Sequence, residues 1–253
     1  MSWLSLLLLF TAGASIGSFI SAFLWRFGQG RSVTKGRSHC PNCGIVLKWN
    51  NLIPLLSYIF QRGKCHHCRQ SIAPRYPIIE LAFGGAFLVY GLIVQPDVSF
   101  EALIGFYLLA IMLALFLFDL NYLILPDIFI LPSIGLILLA AALGIAPISG
   151  LSFILASALT GFFAILYLLS RGRWIGFGDV KLVFLVGLVI GYPLALVAVV
   201  AAIWTGALIG IVLIVFKRGT LKTKMPLGSL IAASAIFFIL FKQSLENFVR
   251  VIQ

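Results

Sequence analysis

Two acidic side chains stand where an apolar chain should exclude them. Asp119 closes the apolar run 102–118, and Asp179 follows Gly176-Phe177-Gly178 just ahead of another. The chain has only seven Asp and Glu, so each carboxylate in such a setting calls for a reason. An ionisable group at a membrane-spanning segment is costly to keep and marks a functional site by default. Two carboxylates about 3 Å apart cannot both ionise, so they share one proton. One can then accept a proton from water while the other donates one to a carbonyl oxygen. Such a pair hydrolyses an amide without metal or nucleophilic side chain. Asp119 and Asp179 are therefore the expected catalytic residues. Taken alone, Gly-Phe-Gly-Asp is a weak signal, and Asp179 reads equally as a helix N-cap. Asp127, after Pro126, reads as the N-cap of the next helix.

A second cluster lies in residues 26–76, the only long polar segment. It holds all four cysteines, as Cys40-Pro41-Asn42-Cys43 and Cys65-His66-His67-Cys68. Two CxxC knuckles 21 residues apart match a zinc-ribbon pattern. Four thiolates in a tetrahedron favour Zn²⁺. Gly44, just after the first knuckle, suits a tight turn. The segment is too short for an apolar core of its own, and a metal supplies the missing folding free energy. Two disulfides or free thiols are the alternatives, and a cytoplasmic location disfavours the disulfides. Cys40, Cys43, Cys65 and Cys68 are the expected ligands of a structural zinc. His66 and His67 are possible substitutes.

Other catalytic templates find no residues. His39, His66 and His67 all crowd the knuckles, so no membrane-embedded histidine can serve a serine nucleophile. The chain contains no HExxH and no GxxxxGK[ST].

The elements that must position these groups are helices in a membrane. The chain is 62% hydrophobic and 10% charged. Apolar runs long enough for a hydrocarbon core of roughly 30 Å recur along it. Helices satisfy every backbone polar group internally, and the alternating ten-residue pattern of a β-barrel is absent. The expectation is an all-α polytopic membrane protein with about eight spans: 3–25, 78–94, 102–118, 128–145, 151–170, 180–191, 194–216 and 226–241. Gly191-Tyr192-Pro193 divides the sixth from the seventh. The first run lacks a basic n-region and exceeds a signal-peptide core, so it is expected to be retained. Three parts follow: a first transmembrane helix (1–25), a small cytoplasmic zinc-binding insertion (26–76) and a transmembrane core (77–253).

Charge orients the chain. Segment 26–76 carries nine Lys and Arg, loop 171–181 carries Arg171, Arg173 and Lys181, and loop 217–224 carries Lys217, Arg218, Lys222 and Lys224. The loops near 95–100, 146–150 and 191–193 carry none. Basic loops are cytoplasmic by the positive-inside rule, which puts the N-terminus outside and both acids at cytoplasmic ends. Lys242 and Arg250 then fall outside, as exceptions. The net charge of +11 reads as topology signal and contact with membrane lipid, not as a nucleic-acid surface.

These residues together resemble the bacterial prepilin peptidases, or type IV leader peptidases. The resemblance runs through Gly17-Ser18-Phe19 with Arg26, then Arg37 to Gly44 and the second knuckle. It continues in Arg75-Tyr76-Pro77 with Glu80 and Leu81, in Asp119 to Pro126-Asp127, and in Gly176 to Lys181. It implies a bifunctional enzyme of the inner membrane that acts on prepilins or pseudopilins. Such enzymes cut a short basic leader after glycine, then methylate the new N-terminal residue with S-adenosylmethionine. The catalytic pair carries over onto Asp119 and Asp179, and the metal ligands onto the four cysteines. No glycine-rich loop marks a methyl-donor site; Glu80 is a candidate contact, with an ion pair to Arg75 as its alternative. Where the family usually has Pro-Phe-Gly-Pro, this chain has Pro226-Leu227-Gly228-Ser229. The departure is expected to alter packing of the eighth helix without touching the acid pair. The competing readings are a proton- or ion-coupled transporter and a non-catalytic assembly scaffold.

Overall fold

A computed structural model describes residues 2–33, 36–94, 99–146, 148–217 and 225–252, without the side chains of 243 and 246–252. Arg218, Lys222 and Lys224, counted above as orienting charges, lie outside the described residues, as does the side chain of Arg250. The described chain is all-helical, with two isolated β-bridges in the cysteine segment. It divides into two compact units, Met1–Asp97 and Val98–Gln253.

In the first unit, α1 (Trp3–Gly28) packs along α3 (Arg75–Val94), and the short α2 (Leu56–Phe60) lies in the segment between them. Serine opens α1: the Ser2 hydroxyl accepts the Ser5 amide at 3.2 Å. Glycines set the closeness of the helix pair. A methyl group on Gly13 would meet the Phe83 carbonyl oxygen at 2.6 Å, and one on Gly84 would meet the Phe10 ring at 2.8 Å. Of the small residues 12–18, Gly13, Ala14 and Gly17 are buried, with Gly13 and Gly17 pressed on α3 as small residues are between membrane helices, while Ala12 and Ser15 stay exposed.

The second unit holds α4 (Phe100–Tyr122), α5 (Asp127–Ala142), α6 (Gly150–Ser170), α7 (Phe177–Ile190), α8 (Leu194–Val215) and α9 (Leu227–Ile252). Ser99 and Ser149 cap α4 and α6, each accepting a backbone amide of the first turn. The core is built round α7, which touches α5, α6, α8 and α9. Val180, Leu182, Val183, Leu185, Val186, Leu188 and Ile190 are all buried, which makes α7 apolar all round below its first turn. A methyl on Gly187 would meet the Ala156 Cβ at 2.6 Å, so α6 and α7 touch at their backbones. At the far end of α7, Lys242 of α9 donates to the Val189 carbonyl at 3.4 Å. A cation at a helix C-terminus is favourable there.

A helix covers each of the eight expected spans. Five are long and apolar enough to cross a membrane: α1, α3, α4, α6 and α8. The others are shorter: α5, the apolar part of α9 (Leu227–Lys242), and α7. With 14 residues, α7 is about 21 Å long. This is a multi-pass membrane protein. Two boundaries differ from expectation. α4 continues one turn beyond Asp119, to Tyr122, and ends where Leu123 turns left-handed and its amide returns to the Asp119 carbonyl at 2.9 Å. Asp127 is not an N-cap: Pro126 holds that position, and Asp127 is the first residue of α5.

Candidate functional site

The second unit brings Asp119 and Asp179 to one place. Asp119 comes from the last turn of α4 and is 5% exposed; Asp179 comes from the first turn of α7 and is 9% exposed. Each carboxylate takes a backbone amide. Ser229, in the first turn of α9, donates to Asp119 Oδ2 at 2.5 Å. Gly176 donates to Asp179 Oδ2 at 3.1 Å. The latter is half of a capping box, since glycine has no side chain to return the bond.

Leu125 is the wall they share. Its side chain fills the space beside Gly178, where an added methyl would sit 2.9 Å from the Leu125 Cβ. The same side chain reaches Gly228, where an added methyl would meet Leu125 Cδ1 at 2.8 Å and Asp119 Cγ at 3.0 Å. Two glycines, one ahead of each helix's working residue, thus let α4, α7 and α9 converge on the acids. Gly228→Ala is expected to displace the Asp119 carboxylate. The consequence for a reaction that depends on placing two acids is a loss on the order of 10- to 100-fold in rate. Helix propensity favours Ala over Gly by about 1 kcal/mol, so the protein should keep its fold. Rate and thermal stability measured on one preparation check this: rate falls, stability holds.

The departure at 226–229 does touch the acid pair, contrary to expectation. Ser229 supplies the amide that holds Asp119, and a proline there would have none. Sequence reasoning misses this because the two residues are 110 positions apart. A helix start after Pro226, with glycine inside it, is the available signal. Asp127 is likewise not the cap that its position suggested. It is paired with Lys181 of α7, and Lys181 also lies 5.1 Å over the Phe177 ring. That pair ties the start of α5 to the first turn of α7, beside Asp179.

The first unit holds the cysteines. Each knuckle closes in the same way. Cys40 donates its amide to the Ile45 carbonyl and Cys65 to that of Gln70, at 2.9 and 2.8 Å. Gly44 and Arg69 return their amides to Cys40 and Cys65, both at 3.0 Å. Both returning residues are left-handed, Gly44 at φ 69° as expected and Arg69 at φ 59°. The four sulfurs lie within 4.8 Å of one another, and Cys40 Sγ is 3.9 Å from Cys68 Sγ. A tetrahedron of metal–sulfur bonds about 2.3 Å long separates its sulfurs by about 3.8 Å. The donor set fits a metal ion. The amides of Cys68 and His67 draw the Cys65 thiol down to about 7, whereas desolvation and the neighbouring cysteines push that of Cys68 up to about 11. None of the four is in a disulfide. The four cysteines are close enough to bind one ion.

Glu80, in α3, is 8% exposed and makes no ion pair with Arg75. Its Oε2 accepts the Leu55 amide at 2.8 Å. Arg75 lies over the Tyr76 ring instead, at 5.3 Å.

Comparison with known proteins gives the same reading over the whole chain. A family model described as the bacterial peptidase A24 N-terminal domain matches residues 11–94, and one described as the type IV leader peptidase family matches 106–211. A prepilin leader peptidase/N-methyltransferase of Bacillus subtilis is 30% identical, over 95% of this chain and 96% of its own length. This chain belongs to the type IV leader peptidase family. A type 4 prepilin-like proteins leader peptide-processing enzyme of Escherichia coli is 32% identical over 88% of this chain and 89% of its own. A prepilin leader peptidase/N-methyltransferase of Burkholderia pseudomallei is 35% identical over 81% of this chain and 67% of its own. No solved structure matches the chain. As a member of this family the chain is an enzyme, and the acid pair falls in the part matched by the peptidase model.

Proposed function

We propose that this chain is an aspartic endopeptidase of the bacterial inner membrane that removes the short leader of prepilins or pseudopilins after glycine. It then methylates the new N-terminus with S-adenosylmethionine. The observation that carries the reading is the convergence of Asp119 and Asp179 around Leu125, each carboxylate held by one backbone amide. Two buried acids sharing one proton are a complete apparatus for amide hydrolysis. One draws a proton from the attacking water, and the other protonates the scissile carbonyl oxygen. Burial favours the chemistry because charges interact more strongly where water is scarce. The names borne by the matched relatives support the substrate class and the methyl transfer.

In this reading the acids face the cytoplasm and the N-terminus lies outside, as the basic loops indicate. Residues 26–76 form a metal-bound scaffold, with Cys40, Cys43, Cys65 and Cys68 as ligands of a structural zinc. Four cysteines close the coordination shell, so the ion supplies folding free energy and no open position for catalysis. The peptidase core lies in 77–253. The test is mass spectrometry of the product N-terminus after incubating purified enzyme with a prepilin-like substrate, with and without methyl donor. The expected result is cleavage after glycine, with a gain of about 14 Da (one methyl replacing one hydrogen) only when the donor is present. Uncleaved substrate under all conditions overturns the reading.

A further inference from the structure

Residues 26–76, 171–181 and 217–224 carry nine, three and four Lys and Arg. In the orientation proposed above, all of them face the cytoplasm, and so does any leader that reaches the acids. Four of the seven Asp and Glu belong to that side: Glu80, Asp119, Asp127 and Asp179. Asp97 and Glu101 lie by the opposite loop, and Glu246 in the tail that falls outside. Glu80, Asp119 and Asp179 are buried. Asp127 is the exception, with its side chain 55% exposed. A cation that approaches this basic side meets one solvent-facing carboxylate.

Asp127 also stands close to the acids. Leu125, the wall that they share, is two residues away, at most about 7 Å of chain. Leu125 lies against Gly178, and Asp127 is paired with Lys181, one turn further along that face of α7. Residues 125–127 thus run beside the first turn of α7, the turn that carries Asp179. The ion pair is lopsided. Lys181 is 18% exposed and lies 5.1 Å over the Phe177 ring, so two neighbours hold the cation. Asp127 gives it Oδ1 alone, and Oδ2 accepts from nothing among the described residues. The N-terminus of α5 favours a negative charge at this position. The carboxylate is held in place with one oxygen open to a second cation.

We propose that Asp127 selects the substrate, its open oxygen taking a Lys or Arg side chain of the leader close to the scissile bond. The proposal rests on the peptidase reading given above and adds to it a residue for substrate choice. An extended peptide advances about 3.3 Å per residue, so two or three residues cover the length of chain from Leu125 to Asp127. Charged side chains avoid the hydrocarbon core, which puts the cation on the leader side of the bond. The other exposed charges of this side are basic and repel that cation, so attraction at Asp127 also fixes the register of the peptide. Lys181 keeps its place over the Phe177 ring, and the carboxylate bridges two cations. Without Lys181 the carboxylate would serve the leader alone.

If Asp127 and Lys181 did no more than tie α5 to α7, removing either would harm every substrate alike. Leader charge separates the two roles. The measurement is kcat/KM of the full-length, metal-loaded enzyme in a neutral detergent. Two prepilin-like substrates differ only in the leader: one keeps its Lys and Arg, and the other has Gln in their place. The ratio of the two values cancels any general loss of activity. The wild type should favour the basic leader by about three- to tenfold, between the strengths of exposed and desolvated ion pairs. Asp127→Asn should bring the ratio close to unity, through a raised KM for the basic leader. Lys181→Met should raise the ratio above that of the wild type, a change of opposite sign. Asp127→Lys should prefer a leader with Glu in those places to the basic one. An unchanged ratio in Asp127→Asn, or a wild type without preference, overturns the proposal. Ratios that fall alike in Asp127→Asn and Lys181→Met overturn it as well, and leave the pair as a tie between helices. A wild type that cuts neither leader overturns the peptidase reading and this proposal with it.

Discussion

Asp119→Asn and Asp179→Asn are each expected to lower the rate of leader cleavage by roughly 10²- to 10⁴-fold, the range over which positioned acids and bases act. Asparagine keeps the size and one acceptor oxygen of each side chain. Ser229 can still donate to residue 119, and Gly176 to residue 179, so the local fold has no reason to change. What disappears is the shared proton: an amide neither accepts one from water nor donates one to the substrate. The two losses should not add. A pair that acts as one unit is already broken by the first substitution, so the double variant should resemble either single one. Initial rates for the three variants against one prepilin-like substrate give the answer. A single variant that retains full activity removes the pair as the catalytic apparatus. Full additivity would show two independent roles in place of one shared proton.

The second large effect concerns the metal. Removing zinc with a chelator, or replacing Cys43 by Ser, is expected to loosen the segment between α1 and α3. Structural zinc contributes about 10–16 kcal/mol of apparent binding free energy in small zinc-finger peptides. Nothing else in this segment is of that size. Cys40 and Cys65 are buried, but Trp49, Ile59 and Phe60 are exposed, and the two knuckles carry only isolated bridges in place of a sheet. Elemental analysis should find about one zinc per chain in the wild type and a large deficit in Cys43→Ser. Limited proteolysis should then cut between residues 36 and 74 while leaving the second unit intact. Unchanged metal content in the cysteine variant, or a segment that resists protease without metal, would refute the scaffold role.

Much of this molecule is legible in its sequence. Composition imposes a membrane, and a membrane imposes helices, because an unsatisfied amide has nowhere else to turn. Eight apolar runs correspond to eight helices, with edges that differ by a few residues. Thiol spacing locates the metal site because a tight turn brings residues i and i+3 together regardless of the surroundings. Asp119 and Asp179 stand out by type: a carboxylate beside an apolar run is conspicuous in any arrangement.

The tertiary fold decided what those residues meet. That Ser229 grips Asp119, that Leu125 is wedged between Gly178 and Gly228, and that Asp127 pairs with Lys181 are contacts between segments 50 to 110 positions apart. No local period or spacing encodes them, because they depend on which helix faces pack. The same holds for Glu80. Its sequence neighbour Arg75 suggested an ion pair, but packing turned the arginine onto Tyr76 and left the carboxylate to the Leu55 amide 25 residues away. Residue types carry their chemistry with them wherever the chain goes; their partners exist only after the helices have docked.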